Sequence, residues 1–245
     1  IIKMSLDMKY MTTAESEGAI SPKELEVILK RHNTYGVRVI DLEDLKTFHR
    51  ETGSYPVFTS EAADSIRNHV EEANDRKEKP FLLSLGSGSA FSETCLAGHG
   101  VPVIATDLYE IGEDGPGSFY GKGESFQGKT HIPVEKLSSV DAVKKYKGET
   151  NSFAFVYPSY SESGGSGDAL EEIVKNADDL GEPARIIHIG EATSGGSTGD
   201  EKFWEIIRDE GMEEIARVKL PSTEYQNIAS MVYEYIPPER DSDED

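Results

Sequence analysis

The strongest constraint on this chain is a rhythm that begins at Pro80. Five apolar runs of strand length, "PFLLSLG", "VPVIATD", "THIPVEKL", "SFAFVYP" and "ARIIHIG", follow one another with helical candidates between them. A strand buried on both faces must be apolar throughout, and parallel neighbours need a crossover connection, so the pattern implies a parallel sheet covered by helices. The clearest helices are "DALEEIVKNADDL", with Leu170, Ile173, Val174 and Ala177 along one side, and "TGDEKFWEIIRDEG", where Thr198 and Glu201 stand at capping-box spacing. The rhythm then breaks. "MEEIARVKLPS" and "NIASMVYEYIPP" are joined by a turn too short for a helix, so they form an antiparallel hairpin. The expected fold class is α/β and Rossmann-like, with five parallel-type strands followed by a C-terminal β-hairpin.

Before Pro80 the chain reads as an N-terminal helical extension over residues 1–79. Ser21, Pro22 and Glu24 give one helix start, and Thr59 or Ser60 caps a second helix that aligns Ala62, Ala63, Ile66, Val70 and Ala73. The main domain is expected over 80–238. The acidic stretch 239–245, "ERDSDED", has no apolar residue to bury and is expected to be a disordered tail. The net charge of −21 repels polyanions and argues against extended nucleic-acid binding or an anionic membrane surface. The single cysteine, Cys95, excludes an intrachain disulfide, and no Cys/His spacing resembles a metal site. No stretch approaches the roughly 18 apolar residues of a membrane span, so an intracellular, cytoplasmic location is expected.

The turn "GSGS" leaves the first expected strand at the carboxyl end of the sheet, where open α/β folds place ligands. Gly86 and Gly88 let the backbone approach a ligand, and Ser87 and Ser89 add hydroxyl donors. Phe91 stands where a pyrophosphate-binding turn needs a small residue, which disfavours a dinucleotide. Asp107 ends the second strand about twenty residues on, where a carboxylate can accept bonds from both ribose hydroxyls. The pair points to a nucleoside-type cofactor.

"LSLGSGSAFSETCLAGHGVPVIATD" resembles motif I and the ribose-binding acid of class I S-adenosylmethionine-dependent methyltransferases. From about Tyr55 to Gly211 the chain resembles a poorly characterised branch of that family with "YPVPT", "GSGxGFW", "WPPY" and "GExxGGCT" type motifs. Here these read "SYPVFT", "GSGSAFS", "YPSY" and "GEATSGGST". The five strands and hairpin match that family's sheet, whereas a nicotinamide-binding domain would continue with a parallel sixth strand. The resemblance implies S-adenosylmethionine as cofactor, held by Tyr55, Gly86, Ser87, Gly88, Ser89, Glu93, Asp107, Leu108, Val134 and Glu135. Family members often carry an acid two residues before the first glycine; this chain has Ser84 there, so Glu93 is a candidate for the cofactor's amino end.

The resemblance places methyl transfer at the rim formed by Tyr157, Pro158 and Tyr160, with Glu191 as a candidate to orient the acceptor or take its proton. The acceptor is expected to be a small molecule or a protein. A binding protein without transferase activity and an NAD-dependent oxidoreductase stand as alternatives. His188, inside an apolar strand, reads as a core residue. The glycine-rich stretch 109–129 is long enough to be a functional loop over the cofactor side.

Overall fold

The computed structural model describes residues 48–49, 52–108, 130–159, 165–191, 198–222 and 227–239. The expected helix at 21–32, the loop 109–129, Tyr160, the loop 192–197 and the tail 240–245 lie outside these residues.

Seven strands form one sheet: β1 (Leu82–Leu85), β2 (Val103–Asp107), β3 (Val134–Lys136), β4 (Ser152–Val156), β5 (Ala184–Glu191), β6 (Glu213–Lys219) and β7 (Ile228–Tyr235). Their spatial order is β3-β2-β1-β4-β5-β7-β6. Strands β1 to β5 pair in parallel, while β7 runs antiparallel to both β5 and β6. This is the run of five parallel strands closed by an antiparallel hairpin that the sequence pattern predicts. The order reverses between β1 and β4, so a crevice opens at their carboxyl ends.

Among the described residues five helices cover the sheet: α1 (Ser60–Ala73), α2 (Phe91–Gly98), α3 (Ser139–Lys145), α4 (Ser166–Leu180) and α5 (Glu201–Asp209). Alternation along the strands divides the core. Leu83, Phe153, Phe155, Ile186 and Met231 pack against Ala142, Leu170, Ile173 and Phe203 of α3, α4 and α5. Leu82, Ala154, Ile187, Ile189 and Val232 face the other way, against Ile66 and Val70 of α1 and Phe91 and Leu96 of α2. Although α1 precedes the first strand in sequence, in space it is one layer of the sheet's own core.

Capping follows the sequence at α1, where the Thr59 hydroxyl accepts from the Ala62 N–H at 3.2 Å. It departs at α5. The cap there is Asp200, which accepts from the Phe203 N–H at 2.8 Å, so the Thr198–Glu201 capping box does not form. Asp200 also accepts from the Ser166 hydroxyl at 2.7 Å and the Gly167 N–H at 3.0 Å. One buried carboxylate thus satisfies the first turns of both α4 and α5.

The amino ends of the central strands are tied by Asn74, buried at the carboxyl end of α1. Its amide donates to the Val70 carbonyl and the Ser152 hydroxyl, each at 2.8 Å. Its oxygen accepts from the Asn151 N–H at 2.9 Å and the Thr150 hydroxyl at 3.2 Å. Beside it Lys77 pairs with Glu182 at 2.6 Å.

Candidate functional site

The turn after β1 is built for tight curvature. Gly86 and Gly88 have φ of +73° and +53°, conformations that side chains disfavour, and a Cβ on Gly86 would meet nothing within 4 Å. The Ser87 N–H donates to the Thr106 carbonyl at 2.9 Å, and the Gly88 N–H donates to the Asp107 carboxylate at 2.8 Å. The glycine turn and the acid that sequence spacing paired are therefore joined directly. The Ser89 carbonyl accepts from the His131 N–H at 2.9 Å, which draws the segment before β3 against the turn. Val134 packs there with Ala90, Ala105 and Ile132, and Leu108, beside Asp107, remains 47% exposed.

Glu93 lies in the first turn of α2 and is 1% exposed. Its Oε1 accepts from the Ser84 hydroxyl at 2.6 Å. Ser84 of β1 and Glu93 of α2 thus meet beside the glycine turn. Burial pushes the Glu93 pKa up to about 7, against the opposing effect of the Ser84 and Ser87 hydroxyls.

Glu135 does not join this group. Alternation on β3 turns its carboxylate toward α3, where it accepts from Lys145 and from the Tyr146 hydroxyl.

The second half of the site follows β4. Tyr157 takes φ +50° although it precedes a proline, a position that normally favours extended backbone, and its N–H donates to the Ile189 carbonyl at 2.6 Å. Its ring stacks on Tyr55 with centroids 4.7 Å apart at 15°, and Tyr55 stacks in turn on His49 at 4.1 Å and 27°. Burial, with Tyr157 nearby, pushes the Tyr55 phenol up to about 12; burial lowers the His49 pKa despite its bond to the Ser54 carbonyl. Among the described residues, this ring stack ties the lead-in to the β4 rim.

The β4 and β5 exits are also coupled. Ser159 and Thr198 form an antiparallel bridge, and the Gly199 N–H donates to the Pro158 carbonyl at 3.0 Å. The Thr198 hydroxyl accepts from the Glu191 N–H at 2.8 Å, placing Glu191 at the same rim. Spacing alone gave Thr198 a cap; instead its hydroxyl meets Glu191 and its backbone bridges to Ser159 on the β4 exit, a contact that no local signal marks. His49 was equally invisible, since its role depends on a ring contact six residues on. His188 is a core residue, packed between Phe203 and Trp204, and burial lowers its pKa to about 3.

Among the described residues no cluster of three or more His, Cys, Asp or Glu could hold a metal ion, and no helix is long and apolar enough to cross a membrane. No protein-family model matches the chain, and no curated protein matches it. Among solved structures, the chain is similar to 1,6-didemethyltoxoflavin-N1-methyltransferase of Burkholderia thailandensis, crystallised with 1,6-didemethyltoxoflavin and S-adenosylhomocysteine. That match has 12% identity and a TM-score of 0.45, covering 90% of this chain and 92% of the other. Magnesium protoporphyrin IX methyltransferase from Synechocystis, with bound SAM, has 14% identity and a TM-score of 0.42 over 90% of this chain and 99% of its own. Human N-acetylserotonin methyltransferase, in complex with SAM, has 12% identity and a TM-score of 0.35 over 88% and 66%.

Proposed function

We propose that this chain is an S-adenosylmethionine-dependent methyltransferase acting on a small-molecule or protein acceptor. The observation that carries the reading is the bond between the Gly88 N–H and the Asp107 carboxylate, which fixes an acid beside a ligand-facing glycine turn at the point where strand order reverses. Asp107 keeps capacity to accept from ribose hydroxyls, because an ionised carboxylate has about four acceptor positions. The open space over Gly86 admits a ligand backbone-close, and Ser87 and Ser89 belong to the same turn. Leu108 and Val134 offer apolar surface for a base, and Tyr55 closes the side toward the rim.

When bound, S-adenosylmethionine supplies an electrophilic methyl group on a sulfonium. The protein's part is to align a nucleophile with it, a matter of position more than of bond-making by side chains. Tyr157 and Pro158 form the rim on which the acceptor rests, and Glu191 accepts a hydrogen bond or proton from it. Held by its backbone bond to Ile189 and by the Tyr55 ring, Tyr157 presents its hydroxyl from a fixed base.

Calorimetric titration with S-adenosylhomocysteine and with NAD tests the reading. The expected result is binding of the first and not of the second, with Asp107→Ala weakening it by about 2 kcal/mol, the scale of lost charged hydrogen bonds. Preference for NAD, or unchanged affinity in a folded Asp107 variant, overturns it.

A further inference from the structure

The other carboxylate oxygen of Glu93 is unmatched. Oε1 accepts from Ser84, yet Oε2 is buried and has no hydrogen-bond partner. A buried ionised carboxylate with an unmet oxygen is costly, and the cost disappears either by protonation or by arrival of a cation. Among the described residues the groups acting on it supply no cation. From β2, Asp107 opposes its ionisation; the groups that favour it are the Ser84 and Ser87 hydroxyls and its own backbone N–H. On its own helix the Cys95 thiol is held neutral by burial, with the Glu93 charge adding to the effect. A metal is a poor fit, since Glu93 belongs to no cluster of ligating side chains among the described residues.

We infer that Glu93 selects ligands carrying an ammonium group, surrendering its own proton to solvent as the cation seats against the unmatched oxygen. This rests on the proposed cofactor site. The exchange balances: the carboxylic acid and the ligand's R–NH3⁺ become a carboxylate–ammonium pair, and one proton leaves to water. No bond within the ligand changes. The pocket thereby tells a nucleoside with an amino-acid arm from one without it, and affinity for the armed ligand rises with pH until Glu93 is ionised without help. The burial-raised pKa of about 7 places that rise near neutrality.

The experiment is calorimetry of S-adenosylhomocysteine and of 5′-methylthioadenosine, which shares the nucleoside and thioether but lacks the amino-acid arm. Each is titrated in two buffers of different ionisation enthalpy, so that protons released can be counted. Near pH 6 the first ligand should release most of one proton per site, with release falling toward zero above about pH 8; the second should release none at either pH. Glu93→Gln should abolish the release and lower affinity for S-adenosylhomocysteine at least tenfold at pH 8, leaving 5′-methylthioadenosine unchanged. The wild-type proton count needs no variant, so a misfolded substitution does not rescue the idea. Binding of S-adenosylhomocysteine without proton release overturns this inference and leaves the cofactor reading standing; failure of both ligands to bind overturns both.

Discussion

The two ends of the sheet use buried polar groups in opposite ways. At the amino ends of the strands, Asn74 meets Val70, Ser152, Asn151 and Thr150, so both sides of its amide are employed. At the carboxyl ends, Glu93 has one oxygen employed and one unmatched, and Tyr157 holds a backbone conformation that tyrosine disfavours. A satisfied network stabilises and specifies the fold; an unsatisfied one persists only where something else repays it. The difference separates polar residues that serve folding from those left ready for a ligand. Asp200 marks the boundary, since it lies at the carboxyl-end rim but all of its described bonds are to helix starts.

The largest effect should come from the satisfied end. Asn74→Ala takes the partner from the buried Ser152 hydroxyl and from the Asn151 N–H and should cost about 3 kcal/mol in denaturant unfolding. Its affinity for S-adenosylhomocysteine, measured below the unfolding transition, should not change. A comparable loss of affinity would erase the division between the ends.

Glu93→Gln should act with the opposite sign on stability. The native pKa of about 7 lies above the ordinary carboxylate value of 4.5, so the folded state binds more protons between them. Wild-type stability therefore falls as pH rises from about 4.5 to about 7, and glutamine removes that fall. The variant should gain about 3 kcal/mol over wild type at pH 8 relative to pH 4.5, by urea titration at both values. A pH-independent gap between the two proteins would place the Glu93 carboxyl in an environment like water.

The smallest effect belongs to the rim. Tyr157→Phe keeps the ring, the Tyr55 stack and the backbone bond, so stability should move by less than about 0.5 kcal/mol. Methyl transfer to an acceptor found with radiolabelled S-adenosylmethionine should fall about tenfold, near 1.4 kcal/mol, the scale of one positioned hydrogen bond. Full turnover in the variant would shift attention to Glu191.

What the sequence disclosed and what it hid follow the range of the forces involved. The strands were legible because two-sided burial writes continuous apolar runs, as in "ARIIHIG", and the hairpin because its turn leaves no room for a crossover. The pairing of Gly88 with Asp107 was legible as spacing within one β-α-β unit. Nothing local marks Asn74, since its partners at 150–152 lie over seventy residues away. The α5 cap was misread for the same reason: "TGD" offers two capping residues, and the distant Ser159 bridge engages Thr198 while Ser166 and Gly167 also draw on Asp200. At Tyr157 the local rule pointed the wrong way, because the bond to Ile189 accompanies a conformation that the following proline disfavours.

The antiparallel β7 has a consequence for how the protein must be made. It is the last of the described strands in sequence, yet it lies between β5 and β6 and pairs with β5 along the whole run from Ala184↔Tyr235 to Glu191↔Ile228. During synthesis the open edge of β5, with its run Ile186, Ile187, His188, Ile189, waits on the ribosome until residues 228–235 emerge. Such an edge invites pairing with another nascent copy. Truncation anywhere in β7 should restore that hazard permanently and yield insoluble chains. Once β7 is seated, the outermost strand is β6, whose Glu213, Glu214, Arg217 and Lys219 make the finished edge a charged one.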